Sequence, residues 1–253
     1  MKSFAIASGS SGNCYYVESK NTKVLVDCGI SFSKAKDILA DKKINVEEIN
    51  AVFITHEHGD HISGLGAFLK NLDCPFYLSR GTLKDCKFND EKFKIVKNHD
   101  FVKIEDVNVF VVDKPHDVDE AISFVFEAEG KKVGIFSDLG YVTDEIKHIL
   151  KGLDVIYIEA NYCHEHIKLN GKDLHYNYVS RLTSDSGHLG VDQTIEVLKE
   201  VANERQKIIL SHISENTTTY ENIYSKVKEA LSLENIFPEL DICFQSEPSE
   251  WIE

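Results

Sequence analysis

Thr55-His56-Glu57-His58-Gly59-Asp60-His61 places three histidines and two carboxylates within seven residues, directly after the apolar run Ala51-Val52-Phe53-Ile54. His56, His58, Asp60 and His61 make the spacing H-x-H-x-D-H. Imidazole and carboxylate are the ligands that hold zinc, manganese or iron through nitrogen and oxygen. A catalytic ion takes three or four protein ligands and keeps a position open for water. Neighbouring residues cannot all face one ion. His56 and His58 are therefore expected to hold one cation and Asp60 with His61 a second, each half being completed by residues from elsewhere in the chain.

Outward from this loop, ligand-type residues recur at strand ends. Residues 4–7 read as a short strand that runs into Ser8-Gly9-Ser10-Ser11-Gly12-Asn13, a small polar loop whose backbone can approach a ligand closely. Ser10 and Asn13 are candidate substrate contacts on that ground, although an ordinary hairpin loop has the same composition. Strands at 14–18 and 23–28 flank the turn Lys20-Asn21-Thr22, and the second ends in Asp27-Cys28-Gly29. A carboxylate closing a buried apolar strand must be paired or hydrogen-bonded, so Asp27 is expected to support the site. Helices are expected at 33–42, capped by Ser31 or Ser33, and around 63–72, followed by a strand at 75–78 and a short helix at 80–86.

From residue 93 to 137 the pattern turns to hairpins, with strands at 93–96, 101–104, 107–112, 121–128 and 132–136. Two of their ends carry ligand types, Lys114-Pro115-His116-Asp117 and Ser137-Asp138-Leu139-Gly140. The last third is α/β in rhythm. A helix at 144–151 is capped by Thr143, and a buried strand at 155–158 ends in Glu159-Ala160-Asn161. A weakly helical stretch at 173–183 leads to Ser186-Gly187-His188-Leu189-Gly190. Then come an amphipathic helix through Ile195, Leu198 and Val201, a strand at 208–210 followed by Ser211-His212, a helix striped by Tyr220, Ile223, Val227 and Leu231, and a strand at 240–244.

Composition bounds the reading. With 42% hydrophobic residues, 14 Phe and 10 Tyr in 253 residues, a packed globular chain is expected rather than disorder. Four prolines and no Pro/Gly/Ser-rich linker point to one domain over residues 1–253. The balance of 28 basic and 42 acidic side chains gives −14, which excludes a global attraction to nucleic acid. An anionic substrate then has to be drawn in by bound cations and a local basic patch. Six scattered cysteines with no C-x-x-C pair read as buried reduced thiols. The amino terminus has too short an apolar run for a signal peptide, and no stretch approaches a membrane span, so a cytoplasmic address is expected.

Asp27, His116, Asp138, His188 and His212 join the 56–61 cluster as candidates. Read alone, His116 fits a surface histidine after a proline equally well, Asp138 a turn cap before Gly140, and His212 a buried packing histidine. The two oxygens of a carboxylate can each bind a cation, and Asp138 suits that bridging role. His188 is not needed to complete either metal site. It is a candidate for binding a scissile phosphate or protonating a leaving oxygen, with a packing histidine as the alternative. Asp117, His99, His148, His164, His166 and His175 read as surface residues, and Glu57 as facing away from the cluster.

The order H-x-H-x-D-H, His, Asp, His on a strand-rich chain resembles the metallo-β-lactamase superfamily over nearly all of the sequence. That resemblance implies an α/β fold, a four-layer αββα sandwich with the metal site at one edge between two sheets. It implies His56, His58 and His116 around one ion, Asp60, His61 and His212 around the other, Asp138 bridging them and Asp27 as a buried carboxylate behind them. A narrower likeness rests on Ala7-Ser8-Gly9-Ser10-Ser11-Gly12-Asn13, the histidine loop, Asp138-Leu139-Gly140-Tyr141-Val142-Thr143, Glu159-Ala160-Asn161, Gly187-His188-Leu189 and Ser211-His212-Ile213-Ser214. These stretches resemble the bacterial YycJ/WalJ group, which implies phosphodiester hydrolysis and exonuclease action on DNA, 5′ to 3′. Two departures stand out. Tyr162-Cys163 occupies the place of His-Asp after Glu-x-Asn, and Gly190-Val191 the place of Ser-Asn after Gly-His-Leu.

Together these readings predict a binuclear hydrolase of phosphodiesters, with two divalent ions (zinc, manganese or iron), DNA ends as substrate and no obligate protein partner. The expected nucleophile is a hydroxide bridging the two ions, with Asp60 orienting it and His188 meeting the phosphate. Arg181 and Lys172 are expected either to contact the nucleic-acid backbone or to form a solvated face. A thioester or lactone hydrolase would use the same two ions. A non-catalytic binding module would use them only as structure, but seven ligand-type residues exceed what a closed structural site requires.

Overall fold

Burial alternates along the strands of this chain, and that alternation stacks it into layers. The structure, a computed structural model, describes residues 1–170 and 174–253. In the first half, β1 (Lys2–Ala7), β2 (Cys14–Glu18) and β3 (Lys23–Val26) form an antiparallel meander. β4 (Ala51–Phe53), β5 (Phe76–Leu78) and β6 (Phe93–Ile95) extend it in parallel, in the order β1 to β6. In the second half, β7 (Phe101–Ile104), β8 (Val107–Asp113), β9 (Ile122–Ala128) and β10 (Lys131–Phe136) are antiparallel neighbours. β11 (Val155–Glu159), β12 (Lys207–Ser211) and β13 (Glu239–Ile242) continue that sheet in parallel.

Parallel joins need crossovers, which helices supply. α1 (Phe32–Asp41), α2 (Gly59–Ile62), α3 (Leu65–Asn71) and α4 (Arg80–Asp85) connect strands of the first sheet. α5 (Asp144–Leu150), α6 (His164–Asn170), α7 (Tyr176–Leu182), α8 (Val191–Val201) and α9 (Tyr220–Leu233) connect those of the second. Ser31 caps α1 by accepting from the Lys34 amide, and Thr143 caps α5 through Ile146.

Three apolar clusters fill the spaces between layers. Ala5, Tyr15, Val26 and Phe53 of the first sheet meet Val109, Phe124, Phe126 and Tyr157 of the second. The alternate residues of β1, Phe4 and Ile6, face the other way, toward Ala35 and Leu39 of α1 and Phe68 of α3. On the far side, Phe136, Ile156 and Leu210 pack against Leu150, Leu198 and Val227 of α5, α8 and α9. The result is helix, sheet, sheet, helix, the four layers expected. Each large apolar side chain so buried contributes roughly 1.5–3 kcal/mol. All six cysteines are free and buried. No helix among the described residues is long and apolar enough to cross a membrane.

Two local expectations are corrected. The strand at 93–95 does not join the hairpin run; it pairs in parallel with β5, Phe93 opposite Phe76, because α4 lies between them and returns the chain in the same direction. The helix expected around 63–72 is preceded by a separate short one, α2, which takes up Asp60 and His61.

Candidate metal centre

β4 ends at Phe53, and an irregular stretch of chain carries Thr55 to His58 from the sheet to α2. His58 is the N-cap of α2 and has extended angles, whereas Asp60 and His61 lie in its first turn. His56 and His58 face together, while the helix turns Asp60 and His61 elsewhere. The split into two halves is thus built into the backbone. Asp27, Asp138 and His212 follow β3, β10 and β12 with φ of 64°, 56° and 52°. The left-handed region costs a residue with a Cβ on the order of 1–3 kcal/mol, and here it turns three polar side chains at strand ends of the two sheets toward one centre.

The first half is a triangle of nitrogens. His58 Nδ1 lies 3.0 Å from His56 Nε2 and 3.1 Å from His116 Nε2. The outer nitrogens are spoken for. His116 Nδ1 donates to the Gly187 carbonyl at 3.0 Å, and His56 Nδ1 lies 3.0 Å from Thr55 Oγ1, which in turn reaches Asp27. His58 Nε2 is 3.5 Å from Asp117 Oδ1. An outer N–H given to an acceptor leaves the inner nitrogen as a bare lone pair. Three lone pairs meeting at this spacing suit a tetrahedral ion, whose ligand atoms at 2.0–2.1 Å are roughly 3.3 Å apart.

The second half is richer in charge. His61 Nε2 lies 3.4 Å from Asp60 Oδ2 and 3.1 Å from Asp138 Oδ2; His212 Nε2 lies 3.3 Å from Asp60 Oδ2 and 3.3 Å from Asp138 Oδ1. Again the outer nitrogens are held, His61 Nδ1 by Asp27 Oδ2 at 2.7 Å and His212 Nδ1 by Glu159 Oε1 at 2.8 Å. Asp138 also comes within 4.0 Å of His116 Nε2, so one carboxylate reaches both halves. Its Oδ2 is buried with no hydrogen-bond partner, a costly state unless a cation takes the lone pairs.

Electrostatics separates the halves as well. Burial holds His56 well below its ordinary value and, opposed by Asp138 but aided by Lys114, pushes His116 down to about 4. Both are neutral ligands at pH 7. Burial also pulls on His61 and His212, but around His61 the carboxylates of Asp138, Asp27 and Asp60 prevail and raise it well above the usual range. Asp138, Asp60 and Glu159 likewise raise His212 to about 10. Without metal this half draws in protons, which is how a carboxylate pocket shaped for a cation behaves. The residues fit two divalent ions.

All seven expected ligands come together, in the groupings His56, His58, His116 and Asp60, His61, Asp138, His212. Asp27 is fully buried behind them. His188 lines a cavity of about 280 Å³ in front of the cluster, together with Ser10, Asp60, Asp138 and His212. Its Nδ1 lies 2.7 Å from Glu159 Oε1. Asn13 is buried, and its Nδ2 is directed to Gly9 O, Asp60 and, at 3.1 Å, His61 Nε2. It braces two ligands from within rather than lining the cavity. Glu57 does face away, accepting from Thr82. Lys172 lies outside the described residues.

Several participants were not singled out from sequence. Glu159 gathers His212, His188 and the amides of Leu139 and Leu189 on one buried carboxylate. Its place at the end of a buried strand, like Asp27's, was the available signal. Asp117 is exposed, as read from sequence, and it also lies 3.4 Å from His116 Nε2 and pairs with Arg181. Buried Lys114 donates to Ser137 O and sits 3.9 Å from Asp138 Oδ2. The two departures from the group pattern touch each other: Tyr162 and Gly190 form an isolated bridge, and a Cβ on Gly190 would lie 2.7 Å from the Tyr162 ring.

The comparison with known families agrees with this geometry. The β-lactamase superfamily domain matches residues 22–213, a span that holds all seven candidate ligands. The chain belongs to the metallo-β-lactamase superfamily. Within it, the chain is 28% identical to exodeoxyribonuclease YycJ of Bacillus anthracis over 233 residues, covering 89% of this chain and 87% of that one. It is 32% identical to exodeoxyribonuclease WalJ of Streptococcus pneumoniae serotype 2, with 85% and 82% covered. Among solved structures, the metallo-β-lactamase fold protein YhfI of Bacillus subtilis superposes with a TM-score of 0.75 at 15% identity, over 98% of this chain and 99% of that one. At that identity the superposition speaks for the fold alone.

Proposed function

We propose that this chain is a binuclear metal-dependent phosphodiesterase that shortens DNA from its 5′ ends, with residues 1–253 acting as one hydrolase domain in the cytoplasm. The observation that carries the reading is the convergence of seven ligand-type side chains into two adjoining groups, four of them lining one cavity, with Asp138 within 4.0 Å of His116 in the other group. The bond class comes from the two exodeoxyribonuclease relatives, which align over most of their length.

His56, His58 and His116 would hold one ion and Asp60, His61 and His212 the other, with Asp138 between them. Two such ions, zinc, manganese or iron by their donor set, would lower the pKa of a water and offset charge building on the phosphoryl oxygens. Asp60 orients the attacking water. Asp27 and Glu159 fix the rings of His61 and His212, so that neither turns as charge moves. His188, held through Nδ1 by Glu159, offers Nε2 at the cavity wall. There it binds a non-bridging oxygen or gives a proton to the leaving 3′ oxygen as the P–O bond breaks.

Turnover of a 5′-labelled DNA, run beside a thioester and a lactone, tests the reading. Metal-dependent release of nucleotides, lost in His58→Ala, is the expected result. Thioester or lactone cleavage without release of nucleotides would replace it.

A further inference from the structure

Helix α7 borders the metal centre, and the mechanism above uses none of it. Tyr178 and Arg181 are three residues apart and share a helix face. Both line the cavity that holds Ser10, Asp60, His188 and His212, and buried Leu182 anchors the end of the helix. Arg181 is the one Lys or Arg among the described residues lining that cavity. In a chain of net charge −14, a phosphate approaching the carboxylates of Asp60 and Asp138 needs such a cation.

The guanidinium is already oriented. Its Nε donates to Asp117 Oδ2, and Nη2 lies 3.5 Å from His58 Nε2. A guanidinium carries five N–H donors; the rest meet no acceptor among the described residues, and the side chain is 61% exposed. As an exposed ion pair the Arg181–Asp117 contact adds little to stability. A fork held at one edge, with free donors beside a metal ligand, matches how arginine takes phosphate oxygens. Beside it the ring of Tyr178 is 38% exposed, and Tyr176 and Tyr141 are also exposed. An exposed aromatic ring beside a phosphate-binding cation, as Tyr178 is beside Arg181 in this cavity, is a surface on which bases stack whatever their sequence.

We propose that α7 is a nucleic-acid clamp: Arg181 holds phosphate oxygens at the strand end, and Tyr178 stacks the base beside that phosphate. The clamp rests on the phosphodiesterase reading and names the residues that favour a nucleic acid over a small ester.

Binding of a fluorescein-labelled oligonucleotide with phosphorothioate terminal linkages to the metal-loaded full chain separates the two contributions. For Arg181→Met, Kd is expected to rise roughly tenfold and the slope of log affinity against log salt to fall by about one, since one phosphate contact is lost. Arg181→Lys keeps the charge and is expected to keep the slope. For Tyr178→Ala, Kd is expected to rise roughly tenfold with the wild-type salt slope, and Tyr178→Phe, which keeps the ring, to restore it. Wild-type Kd and slope in both Arg181→Met and Tyr178→Ala overturn the clamp while leaving the nuclease reading in place. Wild-type protein that neither binds nor shortens an oligonucleotide overturns the phosphodiesterase reading, and the clamp with it.

Discussion

Asp138, His61 and His212 share a problem at the scale of single residues, because without a cation their charges must be balanced by protons. With His212 raised to about 10 and His61 raised well above its ordinary value by the carboxylates around them, both imidazoles favour the protonated form in the metal-free protein. Ions entering this half must displace those protons. Metal binding near pH 7 is expected to release about two protons per chain, measurable by titration calorimetry in buffers of different ionisation enthalpy. The same shifts set a stability trend. A folded-state pKa above the ordinary 6.5 stabilises the fold fully below that value and loses its effect as pH rises toward about 10. The chelated protein is therefore expected to melt at a lower temperature at about pH 9 than at about pH 7. Asp27 and Glu159 act through the rings they hold. Asp27→Asn and Glu159→Gln are expected to weaken metal affinity or turnover roughly 10- to 100-fold, read by metal titration and by a kcat-against-KM split.

Elements decide which of these residues meet. The sequence pattern located β1 to β13 to within a few residues, and it located the candidate ligands because each follows an apolar strand. His116, Asp138 and His212 were ambiguous alone, since a single polar residue after a strand looks the same whether it binds a metal or caps a turn. Pairings between distant elements left no local trace. Asp117 is a surface carboxylate whose pairing with Arg181 appears only once α7 is folded against it, and β6 looks like part of a hairpin until α4 returns it to the first sheet. Tyr162 and Gly190 are a second such pairing, between the end of β11 and the start of α8. Gly190→Ala is expected to cost about 1–3 kcal/mol through overpacking against the Tyr162 ring. Adding Tyr162→Ala is expected to recover part of that loss, so denaturant melts of the two singles and the double should show coupling.

Across the whole molecule the centre is a joint between halves. Residues 1–95 supply Asp27 and the histidine loop on one sheet, and the second sheet supplies His116, Asp138, Glu159, His188 and His212. Each of the two sites, His56 with His58 and His116, and Asp60 with His61, Asp138 and His212, draws side chains from both sheets. Metal therefore binds only when both sheets are packed, and it should stabilise the global fold by mass action, about 2.7 kcal/mol at a hundredfold excess over Kd. Chelation is expected to lower the melting temperature of the entire chain in one transition. The most direct test is to titrate metal into chelated protein while following cleavage of 5′-labelled DNA. The account predicts no cleavage without metal, saturation at two equivalents per chain, and in His58→Ala at least roughly a hundredfold loss of cleavage with the Asp60, His61 and His212 half still binding. Undiminished cleavage by the chelated protein, or full activity at a single equivalent, would contradict it.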